Sequence, residues 1–152
     1  MPETSQQIDT TAEGPRARAL WAERTGTREY TGRSSRGAEV LIGDGPGRFT
    51  PGELLQLALA SCAGLSADHR LSHNLGADFA ATAGVSVEKV EEENRYGHLT
   101  VEIVTDLSAL SEDERERTVE RAEAAIERQC TVGRTLSAGA GHRLIFTDEP
   151  AS

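Results

Sequence analysis

Hydrophobic positions fall in short alternating runs near both ends of the chain and in helical patterns between them. From Leu20 to Ile42 three short strands are predicted: one opens at Leu20-Trp21, a second holds Tyr30, and a third closes with Val40-Leu41-Ile42. Gly26, Gly32 and Gly37 are read as the turns between them. After the glycine-rich stretch GDGPGRF, Thr50-Pro51-Gly52-Glu53 forms a strong helix start. Thr50 suits the N-cap, Pro51 suits the first helical position, and Glu53 completes a capping box. The helix continues to Gly76, a residue suited to the left-handed stop. Its first half is apolar almost all round, which predicts burial on every side. Beyond Ser66 it turns polar, so one end is expected to emerge from the core.

Val85 and Val87 alternate with polar neighbours, as do Leu99, Val101 and Ile103. With EEENRYGH as an acidic turn between them, they predict an antiparallel hairpin buried on one face. Ser111-Glu112-Asp113-Glu114 is a second capping box, opening a helix to about Gln129. Val119, Ala122, Ile126 and Cys130 line its apolar stripe. A short helix is predicted after Cys130, ending near Gly139, and a last strand from Arg143 to Thr147 with Leu144 and Phe146 on one face. Strands, a buried helix, a hairpin and further helices in this order indicate an α+β fold rather than a doubly wound parallel sheet. Residues 1–18 read as a disordered polar tail and residues 19–152 as one domain.

Composition narrows the function classes. The 152-residue chain carries 16 Lys+Arg against 25 Asp+Glu, a formal charge of −9. That balance argues against nucleic acid and against an anionic membrane surface as partners. Aromatics are only 4%, so the core must be aliphatic and alanine-rich. The run from Leu54 to Leu65 is too short to span a bilayer, and the N-terminus lacks the charge and apolar pattern of a secretory signal. Two cysteines without a CxxC exclude a disulfide scaffold and a zinc finger. A reducing, cytoplasmic setting is expected.

Those two cysteines are the candidate chemistry. Cys62 lies in mid-helix within ALASCAGLS, where a free cysteine is most often a small core residue. Cys130 opens CTVGRTL; a helix beginning there would favour its thiolate, with Arg134 four residues on adding to the effect. Other signals are weaker. GDGPGRFT lacks a P-loop's lysine and spacing and reads as a connecting loop. His69 and His73 share a helix face, but with Asp68 they fall short of a metal-binding motif. Trp21 reads as a packing residue.

The run FTPGELLQLALASCAGLSADHRL, followed by a second cysteine in CTVGRTL, resembles the OsmC/Ohr family of osmotically inducible and organic hydroperoxide resistance proteins. The similarity covers roughly residues 20–147. It implies antiparallel sheets around a long buried central helix, an intertwined homodimer, and reduction of organic hydroperoxides without metal or cofactor. Cys62 would be the peroxidatic cysteine, and Cys130 would resolve its sulfenic acid to a disulfide. An external dithiol, to which the resemblance gives a lipoyl type, would reset the pair. The resemblance also assigns an arginine to an early strand or turn. Arg28 aligns there without a gap, with Arg24 and Arg33 as alternatives. A thiol of pKa ~8.5 is only about 3% ionised at pH 7, and a guanidinium that lowered it to ~6 would make it about 90% ionised. The family glutamate that fixes this arginine stands ten residues before the peroxidatic cysteine. Here Gly52 occupies that place and Glu53 follows it, either as its replacement or as a capping residue only. The alternative function is an OsmC-like dimer that binds an apolar small molecule without turnover.

Overall fold

A computed structural model describes residues 19–150. The expected tail, residues 1–18, lies outside them. The chain forms two compact units, one up to Pro51 and one from Gly52 onward.

The first unit is an antiparallel sheet of β1 (Leu20–Gly26), β2 (Glu29–Ser34) and β3 (Glu39–Ile42), in that spatial order. The three expected strands are all present. Arg28 turns the chain between β1 and β2 in the left-handed conformation (φ 57°), and Gly37 (φ 89°) does so between β2 and β3. Gly32 is not a turn residue. It sits inside β2, where a Cβ would come within 2.8 Å of Val40 Cγ1 and 3.2 Å of Ile42 Cδ1. The glycine is needed for close packing across the strand pair. The GDGPGRF stretch folds back on β3: Phe49 N–H donates to the Leu41 carbonyl and Gly43 N–H to the Phe49 carbonyl (2.9 and 3.0 Å). It is a connecting loop.

The second unit contains α1 (Pro51–Leu75), the hairpin β4 (Ala81–Val90) and β5 (Arg95–Thr105), α2 (Glu112–Gln129) and α3 (Thr131–Ala138). Local chemistry sets the ends. Proline opens α1, and Gly76 (φ 93°) stops it. The Ser111–Glu114 capping box forms in both directions at the start of α2. Gly139 (φ 72°) follows the last turn of α3. The hairpin turns through a short 3₁₀ stretch, Glu91–Glu93, and a left-handed Asn94.

The core of this unit is built from small side chains. Ala60, Ala63, Ala67 and Leu71 of α1 are buried with Ala122 and Ala125 of α2 and with Cys130. Leu75, Phe79, Ile103 and Ile126 pack against Ala67, Leu71 and Ala122. The spacing of the α1 residues marks a single buried stripe. Leu57 and Leu65 are exposed, Leu65 at 78%, so the apolar first half of α1 is not buried on every side. On α2 the buried stripe is Thr118, Ala122 and Ala125, while Val119 is 37% exposed. Thr118 tolerates burial because its hydroxyl donates to the Glu114 carbonyl and accepts from Asn74 Nδ2, both at 2.7 Å.

One expected element is absent. Residues 143–147 form no strand, and Leu144, Ile145 and Phe146 are exposed. Alternation supplies the pattern of a strand but not the ladder partner, and neither sheet among the described residues pairs with this segment. Among the described residues no helix is long and apolar enough to cross a membrane.

Candidate active site

The central feature of the site is the beginning of α3. A helix start leaves its first amides without intrahelical partners. Cys130 is the N-cap of α3, and its sulfur accepts from Gly133 N–H at 3.4 Å. The two preceding amides, Thr131 and Val132, lie close enough to the sulfur of Cys62 on α1 to lower its thiol. The thiols of Cys130 and Cys62 act on one another at close range, so the structure brings together two residues separated by most of the second unit's sequence. Both are free thiols; Cys62 is partly exposed and Cys130 is buried.

The two sulfurs are electrostatically unlike. The Val132 amide, helped by the Cys130 thiol and the Thr131 amide, holds the Cys62 thiol below the usual thiol range against the opposing effect of burial. Burial pushes the Cys130 thiol up, outweighing the Gly133 amide, and the neighbouring Cys62 pushes it further. This reverses the expectation for Cys130. A helix does begin there, but its outward-facing amides serve the cysteine of another helix, while Cys130 itself sits in the core. Arg134 does not reinforce Cys130 as expected either; its guanidinium donates to the Glu127 carbonyl at 3.3 Å. The pair is arranged as one ionisable, accessible sulfur and one protonated, buried sulfur. That is the arrangement a nucleophile and its resolving partner require.

The remaining candidates are placed as follows. Arg28 lies in the first unit, exposed and ion-paired with Asp44 at 3.2 Å. Arg33 bridges Glu23 and Glu39 across the sheet. Arg24 lies in β1. Glu53 lies in the first turn of α1, where a carboxylate complements the helix dipole. Gly52 faces Tyr96 of β5: a Cβ added there would meet the phenolic oxygen at 2.1 Å. Gln56 Nε2 donates both to that oxygen and to the Gly52 carbonyl, each at 3.2 Å. Sequence reading did not single out Tyr96 or Gln56. Among the described residues, no group of three or more His, Cys, Asp or Glu side chains is placed to hold a metal ion.

Two hollows of the second unit border α3, and the first reaches Cys130. One of about 350 Å³ is lined by Leu59, Ala63, Val101, Ile126, Cys130 and Arg134, among others. A larger one, about 830 Å³, includes Gly52, Leu55, Tyr96, Leu99, Leu136 and His142 in its lining.

A model of the OsmC-like protein family matches residues 43–143. An uncharacterized protein of Mycobacterium tuberculosis strain H37Rv is 48% identical over 131 residues, spanning 85% of this chain and 96% of its own length. Among solved structures, a hypothetical protein of Aquifex aeolicus superposes with a TM-score of 0.63 at 18% identity, covering 80% of this chain and 88% of that one. An OsmC-like protein of Mycoplasma pneumoniae superposes at 0.53 with 16% identity, covering 83% and 91%. At such identities these structures speak for the fold alone.

Proposed function

The chain belongs to the OsmC-like protein family, and from that premise we propose that it is a cysteine-based thiol peroxidase reducing organic hydroperoxides to alcohols. The observation that carries this reading is the juxtaposition of Cys62 on α1 with Cys130 at the start of α3, the first partly exposed with its thiol lowered and the second buried with its thiol raised. The Cys62 thiolate attacks the terminal oxygen of the hydroperoxide. The O–O bond breaks, the alkoxide leaves and takes up a proton to become the alcohol, and Cys62 becomes a sulfenic acid. The Cys130 sulfur then attacks the Cys62 sulfur. Its thiol proton and the sulfenic hydroxyl depart as water, leaving a disulfide and protecting Cys62 from further oxidation. An external dithiol, of lipoyl type by the family resemblance, reduces that disulfide and is itself oxidised. A cycle of this kind needs a reducing compartment, which the cytoplasm provides.

An organic rather than aqueous peroxide suits the approach to Cys62. Leu65, three residues further along α1, is exposed beside it and offers an apolar edge. The working form in this reading is a homodimer. Leu144, Ile145 and Phe146 in the C-terminal segment, and Leu20 and Trp21 on β1, are exposed apolar side chains that a second copy would cover. Sedimentation should give twice the 16.3 kDa chain mass.

The direct test is thiol counting. Protein given equimolar t-butyl or cumene hydroperoxide should lose two thiols per chain, and Cys62→Ser should abolish turnover. Survival of both thiols would end this reading. The larger hollow, about 830 Å³ beside Tyr96, favours a second reading: an apolar-ligand binder without turnover. In that case a fluorescent apolar probe would bind stoichiometrically and the thiols would persist.

A further inference from the structure

A disulfide between Cys62 and Cys130 presents two sulfurs to a reducing thiol, and the cavity at α3 distinguishes them. Leu59, Ala63 and Val101 form its apolar wall, Glu127, Arg134 and Ser137 its polar side, and Cys130 lines it. Cys130 is only 3% exposed, yet this cavity of about 350 Å³ borders it. Gly133 helps keep that space open. A Cβ there would stand 3.2 Å from the Cys130 sulfur and 3.6 Å from Leu59 Cδ1. Glycine is unfavourable inside a helix, so its place in the eight-residue α3 calls for a packing reason, and this is one.

We propose that this cavity is the binding site of the reducing dithiol, which attacks the Cys130 sulfur and expels Cys62. The inference rests on the peroxidase cycle above. In the first step a thiolate of the dithiol bonds to Cys130 Sγ, the Cys62–Cys130 bond breaks, and its electron pair leaves on Cys62. In the second, the other thiol of the reductant attacks its own disulfide-bound sulfur. The oxidised dithiol departs as a cyclic disulfide, and Cys130 takes up a proton.

The choice of sulfur follows from where charge accumulates. Thiol–disulfide exchange is faster when the sulfur that leaves is the better thiolate. Expelled Cys62 lies beside the Val132 and Thr131 amides, which favour its thiolate. Attack on Cys62 would instead place the departing charge on Cys130, a core sulfur with one amide donor. Arg134, on the cavity wall with one guanidinium nitrogen on the Glu127 carbonyl, keeps further donors for the entering thiolate and offsets the Glu127 carboxylate beside it.

The test uses full-length protein oxidised with diamide, so that the disulfide does not depend on peroxide turnover. A brief pulse of 2-mercaptoethanol, acid quenching, alkylation with N-ethylmaleimide and peptide mass mapping locate the first adduct. The expected result is mercaptoethanol on Cys130 and maleimide on Cys62, at least tenfold over the reverse. An adduct mainly on Cys62, an even partition, or failure of diamide to form the internal disulfide overturns the proposal. Gly133→Ala should slow opening by the same thiol at least fivefold; a rate within twofold of wild type also counts against it. If hydroperoxide leaves the thiols intact while the diamide-formed disulfide still opens at Cys130, the peroxidase reading fails and the thiol site stands.

Discussion

The phenolic oxygen of Tyr96 occupies the place where a side chain at residue 52 would begin, 2.1 Å from the position of a Cβ on Gly52. Position 52 is where the family resemblance expects a glutamate. In this chain a tyrosine from β5 fills that space, and Gln56, one turn along α1, anchors its hydroxyl. The glycine and the tyrosine are thus a matched pair. The polar group at position 52 is a phenolic hydroxyl supplied by another element.

Gly52→Ala should therefore destabilise the protein, although alanine is ordinarily the better helix residue. Overpacking of this kind costs about 1–3 kcal/mol, or a fall in Tm of roughly 3–10 °C for a chain of this size. Tyr96→Phe in the same background removes the clashing oxygen and should recover at least half of the loss. Equal melting temperatures for wild type and Gly52→Ala would show that the pair is not tight.

The unlike cysteines give a signed pH dependence. Cys62, lowered mainly by the Val132 amide, should alkylate with a midpoint below that of a free thiol, and Cys130, raised by burial, with a midpoint above it. A free thiol titrates near 8.5, so at pH 7 iodoacetamide should label Cys62 well ahead of Cys130. The lowered group also stabilises the fold as a thiolate. That contribution is present above the unfolded thiol's pKa and is lost as pH falls through the folded one. Mass mapping after timed quenches reads both profiles, and coincident midpoints would remove the asymmetry.

Loss of the resolving sulfur should separate oxidation from protection. Cys130→Ser should still consume one hydroperoxide per chain but stall without turnover, and Cys62 should advance to sulfinic acid as peroxide is raised. Intact-mass spectra would show an added 32 Da, the mass of two oxygen atoms. Continued multiple turnover with a dithiol would assign the resolving step elsewhere.

Arg28 offers a clean distinction between structural and chemical roles. Its left-handed backbone favours glycine, and its ion pair with Asp44 is highly exposed. Relief of the first, about 1 kcal/mol, offsets loss of the second, about 0–1 kcal/mol. Arg28→Gly should then melt within about 2 °C of wild type while hydroperoxide turnover falls at least tenfold, the loss expected on removing a charge-stabilising donor. Unchanged turnover would turn attention to Arg24 and Arg33.

Much of the fold is legible in the chain because its signals are local. Pro51, Gly76, the Ser111–Glu114 box and Gly139 mark helix ends within a turn of where they act. The three N-terminal strands and the acidic hairpin are likewise readable. Tyr96 is not. Strict alternation places it on the face of His98, opposite Leu99. The strand register slips at this point, pairing Glu88 with His98 and Lys89 with Tyr96, so Gly97 is an extra residue. That bulge re-phases the strand, and Tyr96 joins Leu99, Val101 and Ile103 among the less exposed positions. Thr118 escaped notice for a related reason: its polarity argues for the surface until Asn74 and Glu114 satisfy its hydroxyl.

Every α-helix and strand of the structure is legible in the linear chain, with most of their ends and the two thiols, although the chain also suggests a strand over residues 143–147 that does not form. Those properties depend on backbone preferences and side-chain contacts within a few residues. The tertiary structure decided which sulfur is the more acidic. The amides that favour a Cys62 thiolate belong to α3, far along the chain, and burial of Cys130 depends on several elements closing around it. A hydrogen bond acts through space over a few ångströms, and the linear order of residues does not record that distance.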